Sequence, residues 1–193
     1  MNNIQAYVDL LARSSAECVG MDSNHYLYIV GSLLAKKPEK VLEVGIGTAM
    51  LTVGLVMGLR YNQKGTLTCV DNWFDWHGNE PPGIDSLRES GVTVCAPIEE
   101  SAFLATCPDN MYDFVVSDGD HSNSGNWADE YFRITAPDGF IFFHDTNNHE
   151  IFPTLALIEK RVKALGLPYS HFVQSSRADE RCERGLLFVN NKK

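Results

Sequence analysis

The sequence predicts an α/β domain in which helices cover both faces of a mostly parallel sheet. Two observations carry this expectation. Short apolar runs recur along the chain and end in Gly or Asp, as in KVLEVGIG, GTLTCVD, YDFVVSDGD and GFIFFHD. Segments with the spacing of amphipathic helices separate most of them. Runs that are apolar throughout suit strands buried on two faces, and their alternation with helices implies parallel pairing. A third observation concerns the end of the chain. Residues 175–184, between the last two strand candidates, show no apolar period, so a hairpin is expected and the last strand is antiparallel.

The elements follow in order. Ile4, Val8, Leu11 and Ala12 recur at helical spacing, as do Tyr26, Ile29, Val30, Leu33 and Leu34. Ser23 is the expected N-cap of this second helix, and Pro38 stops it. KVLEV is the first strand, and Ala49 to Leu59 the helix after its Gly-rich turn. Further strands end at Asp71, near Pro97, at Asp118 and at Asp145. A short one surrounds Phe172 and the last closes near Asn190, for a seven-stranded sheet. Helices are expected over Ile98 to Ala105, Gly125 to Ile134 and Ile151 to Leu165. The stretch from Asn72 to Gly91 holds Trp73, Phe74, Trp76, His77, Pro81 and Pro82, too many breakers for a full helix. It reads as an aromatic loop at the carboxyl edge of the sheet, where open α/β folds bind ligands. No repeat or linker divides the chain. Residues 1–37 form N-terminal helices and 38–193 the core of one domain.

Composition narrows the function. The 193 residues suffice for a sizeable core, and 44% hydrophobic with 21% charged residues is ordinary for a globular protein. A formal net charge of −9 repels phosphate backbones, which argues against a nucleic-acid partner. The N-terminus lacks the pattern of a signal peptide, and no apolar run reaches the ~18 residues of a membrane span. Cys18, Cys69, Cys95, Cys107 and Cys182 are odd in number and form no CxxC pair. Reduced thiols in a cytoplasmic protein are the expectation.

The turn VLEVGIGTAM carries the first chemical signal. Gly45 and Gly47 allow a sharp turn and a close ligand. Met50 takes the place of the third glycine of a dinucleotide fingerprint, and Glu43 would repel a pyrophosphate. S-adenosylmethionine carries no phosphate and is cationic at its amino group and sulfonium, so an acidic site suits it. Asp71 ends the next strand, where a carboxylate accepts both ribose hydroxyls. A glycine turn with a capping Asp and no ligand is the plainer alternative.

Two strand ends carry the second signal. VVSDGDHS brings Asp118, Asp120 and His121, and FFHDTNN brings His144, Asp145, Asn147 and Asn148. Neighbouring strand ends place such groups on one edge. Carboxylates, an imidazole and an amide suit a divalent cation, magnesium or manganese before zinc. Capping of the following helices is the competing role for Asp118, Asp120, Ser122 and Thr146, and for Asn147, Asn148 and His149 capping or solvent exposure is at least as good an account.

VLEVGIGTAMLT resembles the first motif of class I, Rossmann-like S-adenosylmethionine-dependent methyltransferases, and CVDNW resembles the acidic motif after it. The likeness spans roughly residues 25–190. It implies cofactor contacts from Glu43, Gly45, Gly47, Thr48, Asp71, Asn72, Ile98 and Asp118. The pair DGDH and HDT is similar to small-molecule O-methyltransferases that modify antibiotic sugars and to cephalosporin-biosynthetic relatives, many of them metal-dependent. By that resemblance Asp118 and Asp145 are metal ligands, and Asp120 or His121 is the general base. His144 stands where those relatives carry an acid, and a neutral imidazole there still offers a ligand. The expected function is methyl transfer from S-adenosylmethionine to a small molecule, at oxygen, with magnesium or manganese as the implied ion. A homo-oligomer would help so short a chain complete its acceptor pocket. An NAD-linked oxidoreductase on the same fold and a non-catalytic cofactor binder are the alternatives.

Overall fold

The computed structural model describes residues 21–74, 78–80, 83–147, 153–173 and 184–192. The chain alternates helix and strand: α1 (Ser23–Lys36), β1 (Lys40–Val44), α2 (Met50–Asn62), β2 (Thr66–Val70), α3 (Ile84–Glu89), β3 (Thr93–Cys95), α4 (Glu100–Thr106) and β4 (Tyr112–Ser117). A 3₁₀ turn (Ser124–Trp127) leads into α5 (Ala128–Ile134), followed by β5 (Thr135–His144), α6 (Leu155–Leu165), β6 (Tyr169–Phe172) and β7 (Leu186–Asn191). The seven strands form one sheet in the order β3-β2-β1-β4-β5-β7-β6. Strands β1 to β5 pair in parallel, and β7 runs antiparallel to both β5 and β6. The expected hairpin and antiparallel last strand are both present.

Alternation along each strand divides the core in two. Val41, Phe114, Val116 and Phe142 pack with α1, α2 and α3 on one face. Leu42, Val44, Val115, Ile141 and Phe143 pack with α4, α5 and α6 on the other. Because both faces are covered, the central strands β1, β4 and β5 are mostly buried, as the continuous apolar runs require.

Some boundaries differ from expectation. Asp22, not Ser23, is the N-cap of α1, and its carboxylate makes no capping hydrogen bond because it turns toward His25. The strand of GFIFFHD starts earlier, at Thr135, because Thr135 pairs with Tyr112 ahead of an irregularity in register. Within Asn72 to Gly91 a short helix, α3, packs Ile84 and Leu87 into the core. Trp73 is 2% exposed and belongs to that core too, so it does not line a cleft, whereas Phe74 is 80% exposed. Trp76, His77, Pro81 and Pro82 lie outside the described residues, as do residues 1–20 with the first helical pattern.

Helix α1 fits α2 through two small residues. A Cβ on Gly54 would come within 2.6 Å of the Tyr26 ring, and one on Gly58 within 2.7 Å of Leu33 Cδ2. Tyr26 and Leu33 therefore fill the space that larger residues on α2 would need.

Candidate active site

All five parallel strands end at one edge, and the loops there are stitched together by backbone bonds. Gly45 donates to Val70 O at 2.8 Å, Asp118 to Val44 O at 2.8 Å and Ile98 to Asp71 O at 3.0 Å. Gly45 (φ +89°) passes so close to the next loop that a Cβ would overlap the Asp118 carbonyl. Gly47 (φ +49°) has nothing within 4 Å of its Cβ position. One glycine is required by the fold, and the other faces open space at the turn. Thr48 is exposed there, and Ala49 adopts a left-handed conformation as N-cap of α2.

Asp71 organises this turn. Its Oδ2 accepts from Ile46 N at 2.7 Å and Gly47 N at 3.3 Å, and its Oδ1 accepts from Trp73 N at 2.7 Å. The amides that a pyrophosphate would need are thus satisfied by a carboxylate, which disfavours a dinucleotide at this turn. Asn72 donates to Glu99 at 3.2 Å, and half-buried Ile98 follows β3 beside them.

Glu43 sits behind the turn rather than in it. It is fully enclosed, with the Cys69 thiol donating to Oε2 at 3.1 Å and Oε1 lacking a hydrogen-bond partner. Burial pushes its carboxyl up to about 8 against the pull of Thr52 and Cys69, with Asp118 and Asp71 adding to the rise. The negative charge expected at the turn therefore comes from Asp71, not from Glu43. A raised folded-state value has a definite sign in stability: the contribution is complete below the free value near 4.5 and is lost as pH rises toward about 8. Glu43→Gln should remove this slope. The variant should melt above the wild type at pH 9, with the difference shrinking by pH 5, as calorimetric scans would show. A pH-independent difference would contradict the buried neutral acid.

Beside the turn, β4 and β5 bring three ligating side chains to one point. Atoms of Asp118, His121 and Asp145 lie within 4.8 Å of one another. His121 Nε2 stands 3.4 Å from Asp145 Oδ2 and 3.7 Å from Asp118 Oδ1. The Asp118 and His121 side chains are 22% and 24% exposed, and that of Asp145 is 8% exposed. Asp145 takes a positive φ of 55°, unusual for a non-glycine residue, and its Oδ1 makes no hydrogen bond but lies 3.5 Å from His144 Nδ1 and 3.6 Å from Arg184 Nε.

His144 borders this group through one ring nitrogen and leaves it through the other. Its Nδ1 donates to Asp118 Oδ1 at 2.9 Å, and its Nε2 lies 3.2 Å from His25 Nδ1. Burial lowers the His144 value, but the charge and hydrogen bond of Asp118, with Asp145, raise it further than burial lowers it. Reciprocally, burial raises Asp118, and His144, His121 and Arg184 together bring it below the usual carboxylate range. The expected third ligand, His144, thus supports Asp118 from behind, and His121 takes the place beside the two carboxylates.

Asp120 is occupied by its own loop: Oδ1 accepts from Ser122 N at 3.0 Å and Oδ2 from Asn123 Nδ2 at 2.9 Å. It forms a turn and does not join the three-residue group. Thr146 pairs with His171 at 3.0 Å, Asn147 is half-buried, and Asn148 and His149 lie outside the described residues.

Three contributors were missed by sequence reasoning. Asp22 and His25 come from α1, distant in sequence from the strand ends. Glu100 is buried under the 118–124 loop, where it accepts from Tyr131 Oη at 2.6 Å, Asp120 N at 3.0 Å and Ser124 Oγ at 3.2 Å. Burial raises its value against those bonds. No sequence motif marks Glu100. The i, i+3 spacing of Asp22 and His25 at a helix start was a signal that could have been read.

Comparison with known proteins decides the family. A profile described as a methyltransferase domain matches residues 42–146, more than half of the chain, from within β1 to just past the end of β5. The chain belongs to this methyltransferase family. Its fold is the class I fold of S-adenosylmethionine-dependent enzymes, as similar solved structures bear out. A Klebsiella pneumoniae protein described as an O-methyltransferase matches with a TM-score of 0.71 at 13% identity, over 95% of this chain and 90% of that one. An O-methyltransferase from Bacillus cereus, in complex with S-adenosylhomocysteine, matches at 0.66 and 12% identity, over 96% and 90%. The O-methyltransferase TomG of Streptomyces achromogenes, in complex with S-adenosylmethionine, matches at 0.65 and 11%, over 95% and 88%. No curated protein matches the methyltransferase. Among its described residues, no helix is long and apolar enough to cross a membrane.

Proposed function

We propose that this methyltransferase moves the methyl group of S-adenosylmethionine to a hydroxyl oxygen of a small molecule. The observation that carries the reading is the convergence of Asp118, His121 and Asp145 beside the Gly45–Gly47 turn. The open space at Gly47, the carboxylate of Asp71 and half-buried Asn72 and Ile98 suit a cationic nucleoside ligand. Similar folds crystallised with S-adenosylmethionine or S-adenosylhomocysteine support the same cofactor. When bound, S-adenosylmethionine supplies an electrophilic methyl on a sulfonium sulfur.

The remaining work falls to the chain. The loops must align the acceptor oxygen with the methyl and keep water away. A free hydroxyl is a poor nucleophile, so its proton must be taken as the bond forms. His121 is the base in this reading, because Asp120 is engaged by Ser122 and Asn123. Asp118 and Asp145 flank its Nε2 and stabilise the imidazolium. The same two-carboxylate, one-imidazole donor set also fits a hard divalent cation held by Asp118, Asp145 and His121, in which case His121 Nε2 would be a ligand and not the base. A magnesium or manganese ion held there would supply positive charge that lowers the pKa of an adjacent hydroxyl. Cys69, Cys95 and Cys107 are free thiols and suit a reducing, cytoplasmic setting.

Two measurements test the reading. Calorimetry should detect S-adenosylhomocysteine binding and none for NAD, and the reverse result would overturn it. Release of S-adenosylhomocysteine should then be followed with sugar and phenol acceptors after EDTA treatment. Activity lost in EDTA and restored by magnesium assigns the cation. Full activity in EDTA leaves His121 to act as base without one.

A further inference from the structure

A second group of ligating side chains meets on the far side of His144. Asp22, His25 and His144 each bring one ligating atom within 4.8 Å of the others, and all three residues are buried. His144 Nε2 lies 3.2 Å from His25 Nδ1, which lies 3.6 Å from Asp22 Oδ2. Donors on a tetrahedral ion with bonds of about 2.05 Å stand about 3.3 Å apart, and these two spacings bracket that edge. Two imidazoles and one carboxylate form a nitrogen-rich set, which suits zinc and neighbouring transition metals better than magnesium.

Two further features point the same way. His144 gives its other ring nitrogen to Asp118 at 2.9 Å, the carboxylate–imidazole arrangement that orients metal-bound histidines. Asp22 occupies the N-cap of α1 yet makes no capping hydrogen bond, so the ordinary role of Asp at a helix start does not account for its placement.

We propose that Asp22, His25 and His144 bind one zinc-type divalent cation, in a site separate from the cleft cluster, and so pin α1 to the carboxyl end of β5. The site has a structural role and touches no substrate. It reaches the cleft only through His144, whose orientation it fixes and on which Asp118 leans. It does not depend on the methyl-acceptor assignment.

The test uses the full chain, stripped with EDTA and titrated with cobalt(II) in the presence of excess magnesium. Visible absorption reports coordination, and elemental analysis counts the metal. The wild type should retain one equivalent of cobalt with the strong bands of a four-coordinate site, displaceable by zinc. His25→Gln should weaken cobalt binding by roughly 100-fold. His121→Gln, in the cleft cluster, should leave it unchanged. Circular dichroism checks that each variant is folded, and Asp22→Asn, with the same expected loss, replaces His25→Gln if that variant does not fold. A wild type that holds no cobalt against magnesium overturns the proposal. So does cobalt binding that survives His25→Gln but disappears in His121→Gln, which would move the ion into the cleft.

Discussion

Gly45→Ala is expected to remove cofactor binding and to destabilise the chain by at least about 2 kcal/mol. The added methyl would overlap the Asp118 carbonyl and stand within 2.5 Å of its carbon, both backbone atoms that cannot swing aside. The positive φ of 89° adds its own cost for a residue with a Cβ. The β1 and β4 loops must then separate, which displaces Asp118 together with the turn. Gly47→Ala is the matched control. Its Cβ meets nothing within 4 Å, so the fold loses only the ~1 kcal/mol of a left-handed alanine. If the cofactor lies against this turn, Gly47→Ala should still lose affinity for S-adenosylhomocysteine. Thermal melts separate the two variants, and calorimetry reads the affinity. A Gly45→Ala protein with wild-type melting and binding would contradict the loop contact.

Asp118→Asn should lower turnover by about 10³-fold, within the range for loss of a positioned acid–base system. Asp118 Oδ1 is shared between the His144 Nδ1–H at 2.9 Å and the His121 ring at 3.7 Å. An amide cannot balance the charge of either ring. Asp145 would remain beside His121, so some base function should persist. Affinity for S-adenosylhomocysteine should change by less than turnover does. Single-turnover kinetics with an accepted hydroxyl compound provide the comparison. Equal losses in affinity and in rate would instead make Asp118 chiefly a cofactor ligand.

Much of the fold was legible because parallel strands buried on both faces have a plain signature. Continuous apolar runs ending in Gly45, Asp71, Asp118 and Asp145 marked four strand ends directly. The hairpin of β6 and β7 followed from the lack of helical period between them. The candidate site was legible as far as it lay on those strand ends. What sequence could not supply was side-chain direction. His144 and Asp145 are adjacent, but one ring nitrogen of His144 reaches inward to His25 while the Asp145 carboxylate faces His121. Glu43 had the right place for a cofactor contact, yet alternation along β1 turns it under α2, where burial neutralises it. Partners from remote segments, such as His25 on α1 and Glu100 on α4, depend on tertiary packing that no local pattern encodes.

The contact between α1 and α2 restricts how this chain can change over evolutionary time. Gly54 and Gly58 are notches, and Tyr26 and Leu33 are the keys that fill them. A larger residue at either notch must displace its key, and a smaller key opens a void in the core. These four positions can therefore drift only in compensating pairs. Tyr26 follows His25 directly on the same helix, so the pairing also fixes where His25 meets the end of β5. Among descendants of this sequence, a bulky residue at position 54 should appear together with a lost aromatic ring at position 26. Where both have changed, the histidine at position 25 should be free to vary as well.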